Sequence, residues 1–271
     1  MNDELKFTVI SDIHYYSKKN FVDGFDKNKK PKPGQLFFSR SEEIVEHTFG
    51  CLCKNDTPDI VLISGDLTYN GERTSHDEMK AALEKLQQNG KRVYVITATH
   101  DYTTPRMPTY GIDKNDKYIE VESVKRTQLL KYYGDFGYNN AIAKHKSTMS
   151  YVAQLADGYR LFALNDDYGD PDCGFSDELM NWVKTEANNA KRDGQYIIAM
   201  THHPLVPPSP IYTAVAKGDM LNDYELRSKQ LSDLGFDFVL TGHTHMHNIS
   251  YCKIGNKKSV SYTHLTLPTN S

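Results

Sequence analysis

The chain is poor in cysteine, in long apolar runs and in excess charge, and each shortage excludes something. Four cysteines are spread over 271 residues. Cys51 and Cys53 are two apart in a stretch with helical periodicity, so they point to different faces, and Cys173 and Cys252 lie far away. That is neither a zinc-ribbon spacing nor a disulfide framework, and free thiols point to a reducing compartment, the cytoplasm. No apolar run approaches the about 18 residues that a membrane-crossing helix needs. Met1-Asn2-Asp3-Glu4, followed by the short run Phe7–Ile10, does not have the form of a secretory signal. The net charge is −3 and the isoelectric point about 6.4, so no basic excess recruits nucleic acid or anionic lipid as a partner. The stretch Lys27–Lys32 is broken by Asn28 and Pro31 and reads as a solvated loop.

What is present is an alternation of two patterns. Phe7–Ile10, Ile60–Ile63, Val93–Ile96, Leu161–Leu164, Ile197–Met200 and Phe238–Leu240 are near-continuous apolar runs, the form of strands buried on both faces. Met149–Leu155 alternates and reads as a further strand. Between them Ser41–Cys53, Ser75–Gln88, Ser176–Lys191 and Asn222–Leu234 carry apolar residues at helical spacing, with Ser176 placed as an N-cap. This alternation predicts α/β layers in one domain. Tyr15–Phe38 and Thr103–Lys117 are polar or rich in Pro and Gly, and read as loops.

Residues 260–269 read Val-Ser-Tyr-Thr-His-Leu-Thr-Leu-Pro-Thr. That string resembles the translation of a transposon-end adapter used to prepare sequencing libraries. Residues 260–271 are therefore expected to replace the native continuation near Ser259, which leaves residues 1–259 as the domain and removes His264 from the candidate ligands.

Five short motifs follow the apolar runs: Asp12-Ile13-His14, Gly65-Asp66, Thr99-His100-Asp101, His202-His203-Pro204 and Gly242-His243-Thr244-His245. Open α/β sheets gather ligands at the carboxyl ends of their strands, so the five are expected to converge on one edge. Mixed Asp and His donors suit borderline divalent metals such as zinc, manganese and iron. On an extended segment, the residues of an Asp-x-His or His-x-His pair share a side. Gly65 and Gly242 permit tight turns at the ligands.

In order and type, these motifs resemble the calcineurin-like metallophosphoesterase family, and the resemblance runs from residue 6 to about 250, including the full second motif Gly65-Asp66-Leu67-Thr68-Tyr69-Asn70-Gly71. The resemblance implies a layered α/β sandwich with two central mixed sheets flanked by helices. It also implies two divalent ions (manganese, iron or zinc) and a phosphoester substrate attacked by a metal-bound hydroxide. It assigns Asp12, His14 and His245 to the first ion, Asp66 to both, and His202 and His243 to the second. His100 would stabilise the phosphoryl oxygens or protonate the leaving group, with Asp101 orienting it. The family has Gly-Asn where this chain has Ala98-Thr99, and its Asn ligates the second ion. Thr99 offers only a hydroxyl, which is expected to weaken that site. The combination of His100 with His-His-Pro leans toward phosphodiesters. A phosphomonoesterase, or a non-catalytic scaffold binding protein in the same cleft, are the alternatives.

Other residues have plainer readings. His203 lines the pocket or is structural, His247 points away, His76 is expected on the surface, and His47 and His145 face solvent. Asn165-Asp166-Asp167 is either a turn or a substrate contact. Tyr15, Tyr16, Phe37, Phe38, Tyr102 and Tyr110 flank the two loops, where packing onto the core competes with stacking on substrate.

Overall fold

The computed structural model describes residues 4–24, 38–167, 172–236, 238–254 and 257–263. Three strands, β1 (Phe7–Ile10), β2 (Ile60–Ser64) and β3 (Arg92–Ile96), form a parallel sheet in the order β1-β2-β3. Parallel neighbours need crossovers. These contain α1 (Ser41–Leu52) and α2 (Arg73–Gln88). The central strand β2 is buried along its whole length, which is why Ile60–Ile63 shows no polar alternation.

The hairpin β4 (Gly111–Ile112) and β5 (Tyr118–Ile119) interrupts the second expected loop. After α3 (Leu129–Tyr133) come β6 (Ala143–His145), β7 (Ser150–Ala156), β8 (Tyr159–Ala163), β9 (Tyr196–Met200), β10 (Phe238–Thr241), β11 (Asn248–Ile254) and β12 (Lys257–Thr263). They make a mixed seven-stranded sheet in the order β11-β12-β10-β9-β8-β7-β6. The expected boundary at 259/260 falls inside β12, whose backbone pairs with β10 and β11. Residues 25–37, with Phe37 and the lysine-rich stretch, and residues 264–271, with His264, lie outside the described residues.

Strand alternation divides the larger sheet between two cores. Tyr151, Ala153 and Leu155 of β7, Leu161 and Ala163 of β8, Ile198 and Met200 of β9 and Leu240 of β10 join the core of the smaller sheet, α1 and α2. The residues between them, Val152, Phe162, Ala199 and Val239, pack with α4 (Asp177–Arg192) and Leu231 of α6 (Tyr224–Asp233). A sheet covered on both faces has no polar face, hence the apolar runs. The Ser176 hydroxyl caps α4 by accepting from Leu179 N at 3.1 Å, with Asp177 and Glu178 in its first turn and Lys191 and Arg192 in its last, both complementing the helix dipole. The two sheets are joined where Tyr151 Oη of β7 donates to Val95 O of the edge strand β3 at 3.0 Å.

Candidate metal centre

The segments after β1, β2, β3, β9 and β10 meet at one edge through hydrogen bonds that follow the strands outward. Asp12 N donates to Gly65 O at 3.1 Å and His14 N to Asp66 O at 3.0 Å. His100 N donates to Asp66 Oδ1 at 2.9 Å, Gly242 N to His202 O at 2.9 Å and His243 N to Asp12 Oδ1 at 2.9 Å. Each motif therefore helps fix the ligands of another.

The ligand pairs share a side for a different reason from the extended geometry expected. Asp12 (φ 52°), His14 (φ 45°), Asp66 (φ 53°), His243 (φ 71°) and His245 (φ 51°) all occupy the left-handed region. For a residue with a Cβ this costs roughly 1–3 kcal/mol, and it persists only where surrounding structure imposes it. Successive kinks, not a flat strand, turn the side chains of Asp12 and His14 inward. Gly65 before Asp66 is left-handed too, at φ 97°, a conformation open to glycine at no steric cost.

Three groups of ligand atoms result: Asp12, His14 and His245; Asp66, His202 and His243; and His14, Asp66 and His100. His14 Nε2 lies 3.0 Å from His245 Nε2 and 3.7 Å from Asp66 Oδ2, and His245 Nε2 is 3.5 Å from Asp12 Oδ1. On the other side, His202 Nε2 lies 3.2 Å from the same Asp66 Oδ2. Asp66 thus commits Oδ1 to the backbone and leaves Oδ2 between the two groups. His202 Nδ1 donates to Ser64 O at 2.8 Å, which turns Nε2 inward, as metal-binding imidazoles are commonly held. That buried Nε2 has no hydrogen bond of acceptable geometry. An orphaned imidazole nitrogen aimed at a carboxylate within a mixed Asp and His donor set fits a divalent cation.

The electrostatics agree with that fit. Burial pushes His14 and His243 well below the ordinary imidazole range, so both present neutral donors. Burial would raise Asp66, but the neighbouring His202 and His100 hold it well below the carboxylate range. Burial would likewise lower His202, but the Asp66 carboxylate overrides it and lifts His202 to about 10. Asp12 is raised by burial, with Asp66 adding repulsion. Two buried carboxylates this close call for positive charge between them.

Asp101 does not orient His100 by contact. It stands third in a 3₁₀ turn, Thr99–Asp101, and its carboxylate accepts from Ala98 N and Thr68 N, both at 2.9 Å. It caps the turn that carries His100, and burial raises it to about 8. Thr99 is half-buried at the first position of that turn. The imidazole of His100 is held instead by Tyr69 O and by Asn70 Oδ1, the latter 2.9 Å from Nδ1. Asn70 was legible only as part of the second motif.

His76 is not on the surface; it is fully buried. Its Nδ1 lies 2.6 Å from Tyr133 Oη and its Nε2 3.0 Å from Asp101 O, so it braces the turn from behind. The helical period held the signal: His76 precedes Met79 by three and Leu83 by seven, on the buried face of α2. Burial lowers His76 to about 3. The folded chain keeps it neutral while the unfolded chain takes up a proton near 6.5, so its contribution is complete above pH 6.5 and is lost as pH falls toward 3. By pH 5 that loss is about 2 kcal/mol. Urea midpoints at pH 7 and pH 5 should show this slope, and His76→Gln should flatten it; an unchanged slope would contradict the assignment.

His145 is also buried rather than solvent-facing, 5.4 Å from the Trp182 ring and 3.6 Å from Glu178 Oε1. His203 and Asp166 explain each other. Asp166 accepts from Thr201 Oγ1 and His203 N, both at 2.7 Å, and lies 3.3 Å from His203 Nδ1. Asp166 is therefore a buried brace for the His202 segment rather than a plain turn. Tyr15, Tyr16 and Tyr102 are buried in the core, whereas Tyr110 is half-buried against Tyr69 and Tyr118.

A two-sheet α/β sandwich with a mixed Asp and His centre at its strand ends is an arrangement that metal-dependent hydrolases of phosphoric esters use. The chain belongs to the calcineurin-like phosphoesterase family, whose model matches residues 5–247. A dimetal phosphatase from Danio rerio shares the fold with a TM-score of 0.61 at 13% identity, over 95% of this chain and 86% of its own. The phosphopantetheinyl hydrolase of Mycobacterium tuberculosis matches at 10% identity and a TM-score of 0.45, over 96% and 89%. No curated protein matches by sequence. Among the described residues no helix is long and apolar enough to cross a membrane.

Proposed function

We propose that the chain is a phosphodiesterase working with two divalent ions of manganese, iron or zinc. The observation that carries this reading is Asp66 Oδ2 facing His14 on one side and His202 on the other, at 3.7 and 3.2 Å. Asp12, His14 and His245 would hold the first ion, His202 and His243 the second, with Asp66 shared and Thr99 offering a weak further donor. When bound, the ions supply Lewis acidity and an activated water. The chain's own part is to hold these donors, to keep His100 at the phosphoryl group and to stiffen its turn through Asp101. The diester preference is supported by the combination of His100 with His202-His203-Pro204, a pairing that the family resemblance associates with diesters. A reducing location is supported by the free Cys51, Cys53 and Cys173.

Turnover of bis-p-nitrophenyl phosphate against p-nitrophenyl phosphate, with Mn²⁺, Zn²⁺ or chelator, tests this directly. Faster metal-dependent cleavage of the diester is expected. Preference for the monoester makes the chain a phosphomonoesterase, and no turnover with any metal leaves a scaffold. Thr99→Asn should tighten the weaker Mn²⁺-binding event roughly tenfold, about 1.4 kcal/mol. Isothermal titration showing two equally tight sites in both forms would refute a weakened second site.

A further inference from the structure

We propose that Asn70 is the positioning residue for His100: its side-chain oxygen joins the Tyr69 carbonyl in keeping the proton on Nδ1 and so presents Nε2 to the substrate. The proposal's kinetic consequence rests on the hydrolase reading above; its structural consequence does not. His100 Nδ1 hydrogen-bonds Tyr69 O and lies 2.9 Å from Asn70 Oδ1. A backbone carbonyl can only accept, so Nδ1 must carry the hydrogen, and the Asn70 amide turns its oxygen toward it. With Nδ1 engaged, Nε2 is the ring nitrogen left for chemistry. The His100 ring stands 4.6 Å from that of His14, and His100 shares a ligand group with His14 and Asp66.

The role separates from the general folding of the loop because the backbone of Asn70 is anchored independently. Its N–H donates to Glu72 Oε1 at 3.0 Å, and its carbonyl accepts from Thr109 Oγ1. Glu72 is fully buried at the start of α2, and Asn70 is 5% exposed. The second motif therefore does two things. Asp66 faces the metal positions, and four residues later Asn70 returns to hold the imidazole that stands across from them. Asp101, whose carboxylate is occupied by Ala98 N and Thr68 N, is not available for this.

In the step this arrangement serves, protonated His100 gives its Nε2 proton to the leaving oxygen as the P–O bond breaks, and the electron pair of that bond stays on the oxygen. The attacking water makes the new P–O bond and loses a proton to solvent, and His100 is reprotonated from solvent. The Nδ1 proton stays on Nδ1 throughout, donated to Tyr69 O and Asn70 Oδ1.

The test uses the full chain with Mn²⁺ and a series of aryl diesters running from phenol to 2,4-dinitrophenol as leaving group. Asn70→Ala should lose roughly 10–100-fold in kcat on the phenyl ester, the scale of an outer-shell partner. On the dinitrophenyl ester, which needs little proton donation, it should lose less than about threefold, with KM unmoved. Asn70→Asp keeps an oxygen acceptor and should recover most of the phenyl-ester rate. Long-range ¹H–¹⁵N correlation of the His100 ring should show Nδ1–H in the parent chain and in Asn70→Asp, and a measurable Nε2–H fraction in Asn70→Ala, where Tyr69 O is left to hold the Nδ1 proton alone. An equal loss across all leaving groups, or an unaltered tautomer in Asn70→Ala, overturns the proposal. If the parent chain cleaves no ester, the hydrolase reading falls and the tautomer measurement alone decides the role of Asn70.

Discussion

Replacing Asp66 with Asn is expected to remove metal-dependent turnover almost entirely. The carboxylate has two separate tasks: Oδ1 accepts from His100 N at 2.9 Å, and Oδ2 stands 3.2 Å from His202 Nε2 and 3.7 Å from His14 Nε2. An Asn side chain that keeps its oxygen on His100 N must aim its amide nitrogen at two imidazoles. A donor then replaces an acceptor where the proposed cations would sit, and the negative charge offered to both proposed sites is lost. Metal ions contribute several kcal/mol of transition-state stabilisation. Losing them costs roughly 10³-fold or more, at 1.36 kcal/mol per tenfold. Binding should fail in the same proportion. The parent chain should gain about 2.7 kcal/mol of stability at a Mn²⁺ concentration one hundred times its Kd, and Asp66→Asn should gain little. Plasma emission counting of bound ions and a thermal melt with and without Mn²⁺ read this out. A variant that still holds two ions and keeps its rate within tenfold would show that Asp66 is not shared.

The sheets and the motifs were legible for one physical reason. A strand buried on both faces carries apolar residues throughout, as Ile60–Ile63 does, and the polar residues that interrupt such a run stand out at its end. The short edge elements were not legible, because β6, β4 and β5 are two or three residues long and too brief to set a period. The residues that gather at the strand ends were legible by type and order, but their conformation was not: nothing local marks Asp12 or His14 as left-handed, since the contacts that impose it come from Gly65 O and Asp66 O, some fifty residues away. The same holds for His100. Its sequence neighbour Asp101 looked like its partner, whereas the oxygens that meet its ring belong to Tyr69 and Asn70, about thirty residues earlier. The parallel pairing of β2 with β3 brings those two loops together. His76 is the opposite case, since its helical register with Met79 and Leu83 was in plain view.

Gly242→Ala is expected to damage the centre without touching a ligand. A Cβ at Gly242 would stand 1.9 Å from Ser11 Oγ, 3.1 Å from Ser11 Cβ and 2.8 Å from Asp12 Oδ2. Here glycine is required by approach, because the chain after β10 runs directly over the chain after β1. The seam is held by His243 N on the Asp12 carboxylate, while Gly242 N is fixed on His202 O of the segment after β9. Ser11 is fully buried, so neither segment can swing into solvent to make room. Overpacking of this kind costs about 1–3 kcal/mol. The larger consequence is for geometry: a shift of about 1 Å in Asp12 or His243 costs roughly 10²-fold in rate. Denaturant midpoints and kcat on the diester should therefore fall together, with kcat falling further. Adding Ser11→Ala to Gly242→Ala removes the worst contact and leaves only the Cβ at 3.1 Å and the Asp12 oxygen. The double variant should regain stability and part of the rate. A Gly242→Ala chain that keeps both its stability and its rate within threefold would mean that the two segments have slack, and that the glycine of the fifth motif serves some purpose other than this close crossing.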